Sequence, residues 1–240
     1  MPLSALRILI IETLSLINFD QNTVPEIIPS ESEYTPSVAS IALELGGLAI
    51  RFSQVERAPR YNEVHRENDA EHSYMLALVA NELASRLVPE LSTGLIAQYA
   101  IVHDLIETVV GDIATFAFTP EQMTEKHINE QTALTNLLQS LPPHTARLLK
   151  RYEEQADPES RFVKAVDKLL PVIVDIIGPG KKVMKETYGV TTIDELRASH
   201  TKLHTRIAES FNEFPLIVEA HAALCKLFQE EFEATTTLPS

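Results

Sequence analysis

Residues 100–116 read AIVHDLIETVVGDIATF and set His103, Asp104, Glu107 and Asp112 among side chains that are mostly Ala, Ile, Val, Leu and Phe. Back along the chain, Ile96, Tyr99 and Ala100 begin an apolar stripe that Ile106 and Val110 continue, and His103 and Glu107 fall in it four residues apart. That period is helical, so the spacing predicts one helix over 93–110 whose inward face carries an imidazole and a carboxylate. Glu107 would then stand one turn, ~5.4 Å, beyond His103.

Two further helices repeat the pattern. Asn68, with Glu71 three residues on, is a start signal of the capping-box type for a helix over 69–88. Its apolar stripe of Leu76, Val79, Ala80, Leu83 and Leu87, counted back by four, reaches His72. In a helix over 159–177, Val163, Val166 and Leu170 mark the buried face and Asp167 lies between them, while Pro171 cannot donate to the Asp167 carbonyl and loosens the helix there. A single histidine on an apolar face is most often a core residue bonded to a carbonyl, and a single Asp is most often solvated. Burying unpaired carboxylates costs several kcal/mol each, so their repeated placement on buried faces calls for a shared counter-charge. Two imidazoles and two carboxylates form a mixed nitrogen and oxygen donor set suited to a divalent ion such as Mn, Co, Fe or Zn, with Mg admissible.

Outward from these three segments the chain reads as all-α. Strict alternation bounded by hairpin turns is absent, Gly is rare at 7 of 240 residues, and further helices are expected over 37–55, 120–140, 143–154, 181–187 and 192–232, the last broken near Pro215. Residues 1–35 are expected to form an amphipathic helix followed by a Pro-rich loop, 36–232 a single domain, and 233–240 a flexible tail. The apolar N-terminal stretch is interrupted by Glu12, short of the ~20 residues a spanning helix needs, so no membrane role is expected. A formal charge of −14, from 34 acidic and 20 basic residues, argues against long nucleic acids or anionic membranes as partners. The lone Cys225 cannot form an internal disulfide, which suits a cytoplasmic protein.

The order His72, His103–Asp104, Asp167 resembles the HD-domain superfamily of metal-dependent phosphohydrolases. RENDAEHS at 66–73 and HDLIETVVGDI at 103–113 are similar to its five-prime deoxynucleotidase branch, where a Glu three residues after the HD pair and a Gly-Asp pair recur, here Glu107, Gly111 and Asp112. The resemblance covers roughly residues 50–175 and implies an HD-type helical bundle with extra N- and C-terminal helices. It implies one divalent ion (Mn, Co, Mg, Fe or Zn) on His72, His103, Asp104 and Asp167. Glu107 would handle the proton of the attacking water, and Asp112 would help to hold the substrate. Arg57, fifteen residues before His72, takes the place of a phosphate-contacting Arg, with Arg60, Arg66 and Tyr61 beside it in RAPRYNEVHR. The branch usually places a Trp shortly after that Arg; this chain has no Trp, and Tyr61 could stand in. Lys126 with Glu130 resembles a helix that follows the HD motif in this branch, though an i, i+4 surface pair accounts for both equally well.

The activity implied is removal of phosphate from deoxynucleoside 5'-monophosphates by water activated at the ion, in a homodimer. Rival readings are a deoxynucleoside triphosphate triphosphohydrolase, a cyclic-nucleotide or short-oligonucleotide phosphodiesterase, and a non-catalytic nucleotide sensor. Glu107 also admits a role as mere hydrogen-bond acceptor for a ligand histidine, and RAPRYNEVHR one as a solvated turn. His200 and His204, at i, i+4, could bind a metal on a helix face but show no third ligand, and GPGKK at 178–182 lacks P-loop spacing.

Overall fold

In a computed structural model the described residues are 37–112 and 120–234, with backbone alone for 120–128. The expected N-terminal helix and Pro-rich loop, the end of the expected tail and the Lys126 side chain lie outside them.

The first helix, α1 (Val38–Phe52), leads into a short antiparallel ribbon, β1 (Glu56–Arg60) and β2 (Arg66–Asn68), paired Glu56 with Asn68 and Arg60 with Arg66. This ribbon is built from the RAPRYNEVHR stretch and is the one element type that helical periodicity gave no sign of. Helix α2 (Asp69–Leu87) starts where expected: the Asn68 side chain accepts from the Glu71 amide at 3.0 Å, and Glu71 Oε2 accepts from the Asn68 amide at 3.1 Å.

Helix α3 is shorter than the spacing predicts. It runs from Thr93 to Val102, a turn occupies 103–106, and α4 (Glu107–Val110) resumes the helix. Through the turn the amides bond three residues back, Leu105 to Val102, Glu107 to Asp104 and Thr108 to Leu105, which tightens the chain at the histidine and aspartate. Gly111 ends α4 with φ of 74°, a value that favours glycine, and so re-aims the chain at Asp112.

The remaining helices are α5 (Pro120–Ser140), α6 (Pro143–Glu153), α7 (Pro158–Asp167), α8 (Leu170–Ile177), α9 (Gly180–Tyr188), α10 (Ile193–Ser210) and α11 (Pro215–Ala234). The single helix expected over 159–177 is therefore two, because Pro171 has no amide to donate; the amides of Lys168 and Leu169 bond three residues back, to Ala165 and Val166. The break near Pro215 falls between α10 and α11. Helix α3 is central, packed on α2, α6 and α7, with Ile96, Tyr99 and Ala100 wholly buried. Each such fully buried large apolar side chain stabilises the fold by ~1.5–3 kcal/mol. Because α2, α3 and α7 pack on one another, the first turn of α2 meets the C-terminal ends of the other two. His72, His103 and Asp167 sit at those ends.

Candidate metal centre and cavity

His72 is wholly buried and His103 nearly so. His103 Nδ1 lies 2.9 Å from the Ala100 carbonyl, which only accepts, so Nδ1 carries the proton and Nε2 presents a lone pair. That lone pair faces carboxylates: Asp104 Oδ2 at 2.8 Å and Asp167 Oδ1 at 4.0 Å. His72 Nε2 lies 2.9 Å from Asp167 Oδ1, and its Nδ1 lies 3.4 Å from Glu67 Oε2. Among the described residues, His72, His103 and Asp104 bring ligand atoms within 4.8 Å of one another, and so do Asp69, Asp104 and Glu107.

Charge explains why these groups need a cation. Arg57 Nη1 reaches Asp104 Oδ2 at 2.8 Å, Asp69 Oδ1 at 3.1 Å and Glu107 Oε2 at 3.6 Å, and its Nε lies 3.3 Å from Glu67 Oε2. Lys168 pairs with Asp167 at 2.5 Å. Five carboxylates thus share two side-chain cations, and the buried atoms Glu107 Oε2, Asp69 Oδ2 and His103 Nε2 still have no hydrogen-bond partner among the described residues. A ring nitrogen with its lone pair facing carboxylates, beside uncompensated negative charge, fits a divalent ion.

The acidities follow the same imbalance. Burial first, then repulsion by Asp104, pushes the Glu107 carboxyl up to about 11, with Arg57 partly offsetting both. Burial likewise raises Asp69 to about 6. Burial opposes ionisation of Asp104 and Asp167 too, but His103 and Arg57 hold the first below the usual carboxylate range and Lys168 and His72 hold the second below it. Burial and Arg57 disfavour the charged form of His72, yet its contacts with Asp167 and Glu67 outweigh them and raise it to about 9.

These groups open on a cavity of about 510 Å³ whose wall includes Arg57, Asp104, Glu107, Asp112 and Asp167. The structure thereby brings together the four expected ligands, Glu107, Asp112 and Arg57. Arg60, Tyr61 and Arg66 are not in that wall. Arg60 pairs with Glu186 of α9 at 3.3 Å, Tyr61 stacks on His65 and donates to Glu67 at 3.3 Å, and the exposed Arg66 faces Glu56. His204 meets a third imidazole, His221 of α11, but the rings are nearly parallel with Nδ1 atoms 3.3 Å apart, a hydrogen-bonding arrangement. His200 instead accepts from the Gln229 amide at 3.0 Å.

Sequence reasoning missed Glu67, Asp69, Lys168 and Asp175. The first two flank the Asn68 cap, and period-two alternation in the ribbon was the signal available. Glu67 is wholly buried against His72 Nδ1 and favours the tautomer that leaves Nε2 free. Glu67→Gln is therefore expected to weaken divalent-cation binding ~10–100-fold, read by calorimetric titration, and an unchanged affinity would refute the role.

Asp175 is 7% exposed, and burial first, then the charge of Glu67, raises its carboxyl to about 8. A carboxyl whose acidity is weakened on folding destabilises the native state progressively as pH rises from its ordinary value of 3.8 to about 8. Asp175→Asn should match the wild type in melting temperature near pH 4 and exceed it above pH 8, by roughly 2–4 °C per kcal/mol recovered. A constant difference across that range would contradict the assignment.

The sequence profile described as HD domain matches residues 51–210. Human 5'-deoxynucleotidase HDDC2 is 32% identical over 124 residues, covering 48% of this chain and 58% of that protein. The Schizosaccharomyces pombe 5'-deoxynucleotidase hdd1 is 29% identical over 132 residues, 48% of this chain and 63% of that one. The chain thus spans about three-fifths of the length of the curated relatives it matches. A crystal structure from Magnetospirillum magnetotacticum MS-1, described as a predicted metal-dependent phosphohydrolase, is similar with a TM-score of 0.61 at 25% identity, over 80% of this chain and 95% of that one. No helix among the described residues is long and apolar enough to cross a membrane. The matched span holds the ribbon, the three packed helices and each clustered imidazole and carboxylate, and on that match this chain belongs to the HD domain family.

Proposed function

We propose that the chain is a metal-dependent nucleotide phosphohydrolase that removes phosphate from deoxynucleoside 5'-monophosphates. The observation that carries this reading is the His103 lone pair, its tautomer set by Ala100, facing carboxylates at the edge of a cavity of about 510 Å³. His72, His103, Asp104 and Asp167 hold one divalent ion, of the Mn, Co, Mg, Fe or Zn class. When bound, such an ion polarises a phosphoryl oxygen and makes water acidic enough to lose a proton near neutral pH. Glu107 Oε2, a buried atom with no hydrogen-bond partner among the described residues, accepts that proton: a bound ion's positive charge offsets the burial and the repulsion by Asp104 that keep this carboxyl protonated in the ion's absence. Arg57 offers its guanidinium to the phosphate from the cavity wall while its other contacts keep it in place, and Asp112 helps to seat the nucleotide. The relatives named 5'-deoxynucleotidase support the substrate class. The homodimer and the cytoplasmic setting belong to the proposal as well, with exposed Ile50, Leu78 and Ile101 available to an interface.

A product-resolved assay across deoxynucleoside mono-, di- and triphosphates with Mn, Co or Mg tests it. Inorganic phosphate and deoxynucleoside from the monophosphates are expected. Tripolyphosphate from the triphosphates would transfer the assignment to a triphosphohydrolase, and no hydrolysis of any nucleotide would overturn it.

A further inference from the structure

The cavity has a second end. Away from the ligand cluster its wall includes Pro171 and Val172 of α8 and Val183, Met184 and Tyr188 of α9, with His200 and Arg206 of α10. Asp175 stands in this wall, eight residues after Asp167, and none of the roles above employs it. Its Oδ1 is buried and has no hydrogen-bond partner among the described residues. The same residue also lines a second cavity, with Gly178, Gly180 and Lys181. The charge acting on it is Glu67, which is negative, so no ion pair compensates its burial.

Packing holds the group rigidly. A Cβ on Gly180 would come 2.2 Å from the Asp175 carbonyl oxygen and 2.6 Å from its Cα, so α9 starts in direct contact with the Asp175 backbone. A Cβ on Gly178 would come 2.1 Å from the Arg60 carbonyl, which binds the same turn to β1. An acceptor left unsatisfied at a rigidly packed position is costly to the free protein, and a ligand that donates to it recovers the lost hydrogen bond. The metal-ligand end takes phosphate, so the part of the substrate that reaches this wall is the nucleoside.

Resting on the phosphohydrolase reading, we propose that Asp175 is a specificity-determining residue that accepts a hydrogen bond from an O–H or N–H donor of the nucleoside. The donor is a sugar hydroxyl or a nucleobase N–H; both present the same chemistry to a carboxyl oxygen. The contact fixes the sugar and base while the phosphate lies against the ligand cluster.

Kinetics of the metal-loaded wild type, Asp175→Ala and Asp175→Asn on the four deoxynucleoside monophosphates and their 2',3'-dideoxy counterparts provide the test. Asp175→Ala is expected to lower kcat/KM on deoxynucleotides ~10–100-fold, mainly through KM, since the nucleoside's donor is left buried without an acceptor. Its melting temperature should not fall. If the 3'-hydroxyl is the donor, the dideoxy substrates are already poor for the wild type and the variant loses nothing more on them. If a base N–H is the donor, the loss persists on dideoxy substrates and differs among the bases. Equal kcat/KM for variant and wild type across the panel, or one uniform loss on every substrate, overturns the proposal. Calorimetric binding of the dephosphorylated deoxynucleosides separates this result from the activity reading. Should the wild type hydrolyse no nucleotide, a tenfold weaker complex in Asp175→Ala would still support the contact, and unchanged binding would still refute it.

Discussion

Glu107→Gln is expected to keep its fold and its divalent ion and to release phosphate ~10²–10⁴-fold more slowly than the wild type. The amide preserves the shape of the side chain and its capacity to accept a hydrogen bond, but it cannot take a proton from water at neutral pH. Geometry favours the proton-handling role over an orienting one. His103 Nδ1 is committed to the Ala100 carbonyl, and the two nitrogens of His72 face Asp167 and Glu67, so neither ring donates to Glu107. Glu107 Oε2 lies 3.6 Å from Arg57 Nη1 and has no hydrogen-bond partner among the described residues, while the carboxyl also bonds to Asp69. A loss of this size corresponds to about 3–5 kcal/mol of barrier, beyond what a rearranged surface charge would cause. Near wild-type turnover in Glu107→Gln with full metal content would reduce the carboxylate to a structural group and shift the search for a base to Asp112 or the substrate phosphate.

Asp104→Ala is expected to abolish turnover by removing the ion itself. Elemental analysis should find about one divalent ion per wild-type chain, and little in Asp104→Ala or His72→Ala. The second readout is thermal. A ligand at 100 times its Kd stabilises a protein by about 2.7 kcal/mol, so added Mn should raise the melting temperature of the wild type and leave that of the variants unmoved. Asp104→Ala is the cleaner of the two, because Arg57 retains Asp69, Glu67 and Glu107 after losing its 2.8 Å partner. Unchanged metal content in both variants would show that the ion is held elsewhere.

Much of this centre is legible in the chain alone. His72, His103 and Asp167 announce themselves because each interrupts an apolar stripe of helical period, and burial cannot be arranged for one face of a helix without including them. The start of α2 is equally local: Asn68 and Glu71 cap each other through bonds that span three residues. The break at Pro171 follows from a missing amide.

The rest depended on pairings between distant segments. In RAPRYNEVHR nothing in the order of residues says that Arg57 enters the carboxylate cluster while Arg60 pairs with Glu186; the pairing of β1 with β2 and the approach of α9 decide it. Glu67 and Asp69 join the site for the same reason. The turn at 103–106 replaces the continuous helix that the stripe predicts, since a three-residue hydrogen-bond pattern confined to one turn still leaves both His103 and Glu107 buried. The sequence by itself determined which helices form and which of their faces carry the histidines and aspartates, because those outcomes rest on bonds and contacts within a few residues. Only the tertiary structure decided that five carboxylates meet two side-chain cations at one end of the bundle, and that Asp175 lines the same cavity with its Oδ1 unpartnered among the described residues, because charge balance and burial are properties of segments far apart in the chain.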